Sequence, residues 1–132
     1  MVRLISTIVR ELVDNKLSNI FPPNLKGACA ITSYILFLSL RKNGFNSKFV
    51  IGKYLGLDHC WVELNKSIID LTATQFCCFN KINVFKINDI RYTAIKRRIN
   101  KKDFIDWYLY QNPFNFSIKW KNNLPSNVFF AK

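Results

Sequence analysis

Hydrophobic residues in the first third of the chain follow helical periods. In residues 2–13 the apolar positions recur at the spacing of one helix face, with a period close to 3.6. Residues 28–42 are apolar on nearly every face. These patterns predict an amphipathic helix at the start of the chain and then a helix that is buried all round. Arg41 and Lys42 are favourable at the negative, C-terminal end of the dipole of the second helix. Gly44 can adopt the left-handed conformation that often ends a helix.

Three segments rich in β-branched and aromatic residues come next, at 47–54, 57–64 and 67–73, and they predict strands. In the second half of the chain, residues 101–110 predict a short helix and residues 114–120, which alternate, predict a half-buried strand. No internal repeat, low-complexity linker or domain boundary interrupts these elements. The sequence therefore predicts one α+β domain over residues 1–132, with the buried helix packed on an antiparallel sheet.

The loop between the second and third predicted strands determines which side chains share a face. Only Asn65 and Lys66 separate these strands, which is the length of a tight hairpin loop and pairs Leu64 with Ser67. In that register the side chains of His59 and Asp70 lie on one face as diagonal neighbours, with Cα atoms about 7 Å apart. A loop one residue longer or shorter would place them on opposite faces.

Cys29, His59 and Asp70 are the residue types that nucleophilic catalysis by sulfur requires: a thiol, a base and a group that orients the base. Cys29 falls in the first turn of the buried helix, where backbone N–H groups and the positive dipole end favour a thiolate and can hold an oxyanion. His59 is the only histidine, and a carboxylate in a core hairpin needs a partner. The alternatives are a cysteine that packs as a small hydrophobe and a histidine and an aspartate with structural roles.

Several short motifs around these residues resemble the core of the transglutaminase-like superfamily. They are Cys29 with its helix, Gly-x-Tyr at 52–54, His-x-Trp-Val-Glu at 59–63 and Asp-x-Thr at 70–72. The resemblance covers roughly residues 25–76 and implies a papain-like fold. Many bacterial members of that superfamily are cysteine proteases or amidases, and the match is also similar to the peptidases that trim leaders from lasso peptides.

The resemblance implies a role for each matched residue. Cys29 would be the nucleophile, His59 the general base and acid, and Asp70 the residue that orients the histidine, with Trp61 as a wall of the site. The loops between these residues are short, which leaves little room for an elaborate substrate cleft.

Further candidates for the substrate side of the site come from neighbouring segments. Asn24, after the stiff Pro22-Pro23 pair, and Tyr34 are candidate oxyanion donors beside the backbone N–H groups. Gln75 and Thr74 follow the aspartate strand closely and are expected to border the site.

The cysteines indicate a reducing compartment. Cys60 alternates with His59 and is expected in the core, whereas Cys77 and Cys78 are adjacent and poorly placed to pair with each other. A zinc site built from His59, Cys60, Cys77 and Cys78 is the alternative, but it lacks Cys-x-x-Cys spacing, and we expect no metal or other cofactor. With neither a signal peptide nor a membrane span expected, the predicted location is cytoplasmic.

Positive charge dominates the surface chemistry. Lys and Arg total 20 against 8 Asp and Glu, a net charge of +12, and residues 91–102 contain no acid. Such a run is typical of a solvated basic face, or of a surface for an acidic protein partner, an anionic lipid or a nucleic acid. Because no nucleic-acid motif accompanies it, a nucleic-acid partner is not expected.

These observations together predict a cysteine-dependent hydrolase or acyltransferase that acts on amide bonds of a protein or peptide through a thioester. Proteolysis and glutamine deamidation both use these steps. A basic enzyme of this size also fits an effector or toxin delivered to another cell and acting on an acidic protein. The alternatives are a basic nucleic-acid-binding protein and a catalytically inactive interaction module.

Overall fold

The computed structural model describes residues 1–17, 28–76, 80–97 and 102. Within these ranges the chain forms two helices and five strands, with one short 3₁₀ helix. They are α1 (Val2–Leu17), α2 (Cys29–Lys42), β1 (Lys48–Tyr54), β2 (Leu57–Leu64), β3 (Ser67–Asp70), the 3₁₀ helix (Ala73–Phe76), β4 (Asn83–Lys86) and β5 (Tyr92–Lys96). This mixture of helices and antiparallel strands agrees with the predicted α+β class. Asn24, Cys77, Cys78, the strand predicted at 114–120 and all but residue 102 of the helix predicted at 101–110 lie outside the described residues.

The five strands form one antiparallel sheet in the order β4-β3-β2-β1-β5. Leu64 pairs with Ser67, which confirms the predicted register of the hairpin. Asn65 and Lys66 between them have φ angles of 51° and 65°, as a two-residue type I′ turn requires. Residues 55–56, between β1 and β2, also have positive φ angles and close a second tight hairpin.

Strand β3 is shorter than predicted, and its end has a local cause. The backbone N–H of Thr72 donates to Oδ1 of Asp70 at 2.9 Å. This side-chain-to-backbone bond turns the chain and takes a donor that a longer ladder would use. The strand therefore ends at Asp70 rather than at residue 73, so β3 does not extend alongside His59.

Each face of the sheet carries its own hydrophobic cluster. The cluster on one face contains apolar residues of α1 and α2. It also contains Cys60, which is buried as predicted. The other face carries a smaller, mainly aromatic cluster, whose buried members are Val50, Tyr54, Trp61, Ile68 and Tyr92. Helix α2 is buried from Cys29 to Leu36 and again at Leu40, in keeping with its apolar pattern.

Candidate active site

Three structural elements bring the predicted site residues together. Cys29 is the first residue of α2, His59 lies near the start of β2, and Asp70 is the last residue of β3. Their exposed fractions are 1%, 0% and 0%. Nε2 of His59 lies 2.7 Å from Oδ2 of Asp70, and a side-chain hydrogen bond joins His59 to Cys29. Since Nε2 is held by the carboxylate, Nδ1 is the ring nitrogen on the sulfur side.

Asp70 is held in its charged form by several donors. Oδ2 accepts hydrogen bonds from His59 and from the hydroxyl of Tyr92 at 2.8 Å, and Oδ1 accepts from Thr72. Burial raises the pKa of Asp70. The charge of His59 and these hydrogen bonds lower it by more than burial raises it, so the pKa lies below the ordinary value. The site therefore contains a buried carboxylate whose charge is compensated.

The imidazole of His59 is favoured in its protonated form. Burial lowers its pKa, but the charge and hydrogen bond of Asp70, together with Cys29, outweigh burial and raise the pKa to about 10. At neutral pH the ring is then an imidazolium that carries a proton on the nitrogen facing the sulfur.

Aromatic rings surround the imidazole and exclude water from it. The centroid of the His59 ring lies 4.8 Å from that of Phe76 and 6.0 Å from that of Trp61. The rings of Tyr54 and Tyr92 lie slightly farther away, at 6.3 and 6.4 Å. Trp61, predicted as a wall of the site, is fully buried and packs beside the histidine. Such a dry environment strengthens the interaction between the imidazole and the carboxylate.

Gly52, part of the Gly-x-Tyr motif, lies directly across from His59 in the β1–β2 ladder. A Cβ atom at this position would lie against the carbonyl oxygen of Thr93 and 2.6 Å from Cη2 of Trp61. The glycine therefore permits β5 and the indole ring to approach β1 closely.

Gln75 borders the imidazole as predicted, whereas Thr74 makes a different contact. Nε2 of Gln75 lies 3.4 Å from Nδ1 of His59 and 3.1 Å from the carbonyl oxygen of Thr72. Oγ1 of Thr74 instead lies 3.3 Å from the guanidinium of Arg10. Gln75 is therefore within hydrogen-bonding range of the histidine ring, and Thr74 contacts Arg10.

Arg10 is a residue that sequence reasoning missed. Its buried guanidinium donates to the carbonyl oxygen of Leu71 at 2.6 Å and contacts Thr74 and the carbonyl oxygen of Lys81. Asp14, one turn later in α1, pairs with it at 3.0 Å. Arg10 thus ties α1 to the segment that follows Asp70. A signal was present, since Arg10 falls on the buried stripe of an amphipathic helix.

Tyr92 is the second residue that was missed. It lies in β5, at the sheet edge, and its ring packs against Tyr54 and Trp61 while its hydroxyl reaches Asp70. Burial and the nearby carboxylate raise the pKa of this hydroxyl, which keeps it a hydrogen-bond donor. No sequence pattern distinguishes Tyr92 from the other tyrosines.

Tyr34, a candidate oxyanion donor, lies in the second turn of α2. Its ring packs against Phe37 and Phe49, with centroid distances of 5.9 and 5.8 Å, and burial raises the pKa of its hydroxyl. In the described residues, no group of three or more His, Cys, Asp or Glu side chains stands close enough to hold a metal ion.

The described part of the basic run 91–102 is partly neutralised. Arg91 forms an ion pair with Asp89 at 2.7 Å, and Arg97 forms one with Glu63 at 2.7 Å. Lys96 is exposed between them. The run is therefore a mixed surface at its start rather than an uninterrupted block of unpaired cations.

None of the helices in the described ranges is both long enough and apolar enough to cross a bilayer. Comparisons of the chain with protein-family models, with curated proteins and with solved structures gave no match.

Proposed function

We propose that this protein is a cysteine-dependent hydrolase or acyltransferase that acts on amide bonds of a protein or peptide. The observation that carries the proposal is the buried, hydrogen-bonded series Cys29, His59 and Asp70. A thiol, an imidazole and a carboxylate in this order are what nucleophilic catalysis by sulfur requires. The proposal also assigns the chain to the transglutaminase-like superfamily, with its papain-like fold.

The reaction begins when the thiolate of Cys29 attacks the carbonyl carbon of the amide. The C–N bond breaks, and the proton on Nδ1 of His59 passes to the leaving amine, so that a thioester remains on the sulfur. Water or a second amine then attacks the thioester and gives its proton to the imidazole. The acyl group leaves as a carboxylic acid or a new amide, and the thiolate of Cys29 and the protonated imidazole of His59 are regenerated.

The surroundings of the three residues support this chemistry. Asp70 orients the imidazole and stabilises its positive charge, which in turn stabilises a thiolate beside it. Ala28, the N-cap residue of α2, has no side-chain acceptor for the N–H groups of the first turn. An oxyanion formed at Cys29 would therefore meet backbone donors and the positive end of the helix dipole.

The charge of the chain indicates the kind of substrate. A net charge of +12 attracts acidic segments over a distance of roughly a Debye length, about 8 Å at physiological ionic strength. We therefore propose an acidic protein or peptide as the substrate.

The thiol chemistry is tested by two measurements on the full-length chain. Mass spectrometry after a timed exposure to iodoacetamide at pH 7 measures alkylation at each cysteine. Absorbance at 240 nm measures thiolate directly, and it does not depend on access of a reagent. Cys29→Ser and Cys60→Ser form a matched pair, because both cysteines are buried, Cys29 hydrogen-bonds to His59, and Cys60 alternates with His59 along β2.

We expect a thiolate signal near neutral pH that disappears in Cys29→Ser and persists in Cys60→Ser. Alkylation should be about tenfold or more faster at Cys29 than at Cys60, and His59→Ala should abolish the difference. Absence of the thiolate signal, with equal alkylation of both cysteines, would contradict the proposal. Cleaved or deamidated proteins in a lysate treated with the wild-type chain, but not with Cys29→Ser, would then identify the substrate.

A further inference from the structure

The amide of Gln75 has a fixed orientation beside the imidazole. Its Nε2 lies 3.1 Å from the carbonyl oxygen of Thr72, which only accepts hydrogen bonds, so this end of the amide must be the NH₂ group. The same nitrogen lies 3.4 Å from Nδ1 of His59. One amide hydrogen is therefore used by the backbone, and the second is on the side of the histidine that faces the sulfur.

The segment that carries Gln75 is held from both sides. Arg10 contacts Thr74 and donates to the carbonyl oxygen of Leu71. On the other side, the ring of Phe76 stacks on Tyr54 with centroids 4.4 Å apart. Such anchoring before and after Gln75 gives its amide the fixed position that a preorganised donor needs.

Gln75 also differs in exposure from the three residues of the proposed mechanism. Cys29, His59 and Asp70 are fully buried, whereas Gln75 is half-buried. Of these four residues, Gln75 is therefore the one that is partly accessible to solvent.

The second amide hydrogen changes its acceptor with the state of the histidine. When the imidazole is neutral, Nδ1 has a lone pair and accepts this hydrogen. When Nδ1 carries a proton it has no lone pair to offer, and the amide must donate to another acceptor. An oxyanion that forms next to the sulfur would supply such an acceptor.

We infer that Gln75 is a catalytic donor that binds the carbonyl oxygen of the substrate as negative charge develops on it. The inference rests on the proposed function, and it adds a side-chain donor downstream of Asp70 to the backbone N–H groups of α2. No bond to Gln75 forms or breaks: the electron pair moves from the C–O double bond to the oxygen, and the amide stabilises it until the C–N bond breaks.

Two probes separate this role from a general effect on the thiol. Acylation of Cys29 by 4-nitrophenyl acetate places negative charge on a carbonyl oxygen and releases 4-nitrophenolate, which is measured by its absorbance. Alkylation by iodoacetamide displaces iodide from a methylene carbon and creates no oxyanion. Gln75→Met keeps much of the side-chain length but removes the donor, and Gln75→Ala is a second variant that removes it by truncation.

We expect Gln75→Met to lower the acylation rate by about a hundredfold to a thousandfold, the usual effect of losing one oxyanion donor. The alkylation rate of Cys29 should change by no more than about twofold, and Gln75→Ala should behave in the same way. Acylation that falls no more than alkylation in both variants would overturn the inference.

Failure of the proposed function gives a different result. If wild-type protein is acylated no faster than Cys29→Ser, the thiol itself does not react, and both proposals are rejected together. If wild-type acylation depends on Cys29 and His59 but not on Gln75, only the role of Gln75 is rejected. Circular dichroism of each variant verifies that the fold is retained.

Discussion

Nε2 of His59 lies 2.7 Å from Oδ2 of Asp70, and both side chains are completely buried. The two residues are 11 positions apart, on strands joined by a two-residue turn. Burial of a charged pair is costly unless each charge is compensated and hydrogen-bonded. Here Tyr92 and Thr72 supply further donors to the carboxylate. Removal of either member of the pair should therefore affect the other strongly.

Asp70→Asn should lower the pKa of His59 by more than one unit from about 10, because the charge of Asp70 is the largest influence that raises it. His59 is the only histidine, so NMR titration of its ring protons measures this pKa without assignment by mutation. Alkylation of Cys29 at pH 7 should fall on the order of a hundredfold, because the imidazolium is no longer favoured.

Asp58→Asn is the matched control for that change. Asp58 pairs with Lys53 at the surface, and both side chains are partly exposed. The pKa of His59 should be unaltered in this variant. Equal titration curves for Asp58→Asn and Asp70→Asn would contradict the assigned electrostatics.

The stability of the fold should depend on pH through the same pair. The folded-state pKa of His59, about 10, exceeds the ordinary value of 6.5. Its contribution to the free energy of unfolding is therefore fully present below pH 6.5 and is lost as the pH rises towards 10. The pKa of Asp70 is lowered, so its contribution is present above its ordinary value of 3.8 and is lost as the pH falls through the folded value.

Urea unfolding between pH 4 and pH 10 measures this dependence. Stability from the pair should be greatest between about pH 4 and 6.5 and should decline above that range. In His59→Gln the part of the decline that comes from the imidazole should disappear. A wild-type curve that declines no more steeply than that of the variant would argue against a protonated His59.

Gly52→Ala should destabilise the fold by about 1–3 kcal/mol, the usual cost of overpacking a tight contact. The added Cβ would press on the Thr93 carbonyl and on the indole of Trp61, so β5 and the ring beside His59 would have to move. Urea denaturation measures the loss, and tryptophan fluorescence reports on changes around the aromatic rings.

Gly56→Asn provides the comparison at the neighbouring turn. Gly56 has a φ of 84°, and in the described part of the chain no atom would lie within 4 Å of a Cβ at this position. Asparagine tolerates this backbone region better than most residues. The cost in free energy of unfolding should stay below about 1 kcal/mol, because asparagine incurs less than the ~1–2 kcal/mol of an ordinary residue in the left-handed region. A cost for Gly56→Asn as large as that for Gly52→Ala would mean that crowding at Gly52 is not the cause.

Arg10→Lys should destabilise the fold by about 1.5–3 kcal/mol, the range for hydrogen bonds to a charged group. A lysine keeps the charge but lacks the planar fork that reaches Leu71, Thr74 and Lys81 at once. Thermal or urea unfolding measures the change. Arg3→Lys is the matched control, because Arg3 lies exposed on the same helix. This substitution should lower the free energy of unfolding by less than about 0.5 kcal/mol. Similar losses in both variants would exclude a specific role for the guanidinium of Arg10.

Much of the central fold was predictable because its signals are local. The nearly continuous apolar run at residues 28–42 predicted the buried helix, and the two-residue loop at 65–66 predicted the register of the hairpin. That register placed His59 and Asp70 on one face, since side chains alternate along a strand. The end of β3 was misplaced because a single side-chain bond to Thr72 decides it.

Strands β4 and β5 were not predicted, and neither were the roles of Arg10 and Tyr92. Both strands are short and lie at the edges of the sheet, where exposed residues weaken the alternating pattern. Arg10 and Tyr92 meet the Asp70 segment across 61 and 22 residues of chain. Such contacts depend on how elements pack, and no local period encodes them.

The sequence by itself therefore determined the buried helix, the hairpin and the pairing of an imidazole with a carboxylate. Only the tertiary structure decided that Cys29, 30 residues before His59, bonds to the imidazole, and that Gln75, Tyr92 and Arg10 complete its surroundings. The physical reason is distance along the chain. Neighbouring residues are positioned by backbone geometry, whereas distant ones are brought together by the burial of helix and sheet faces against each other.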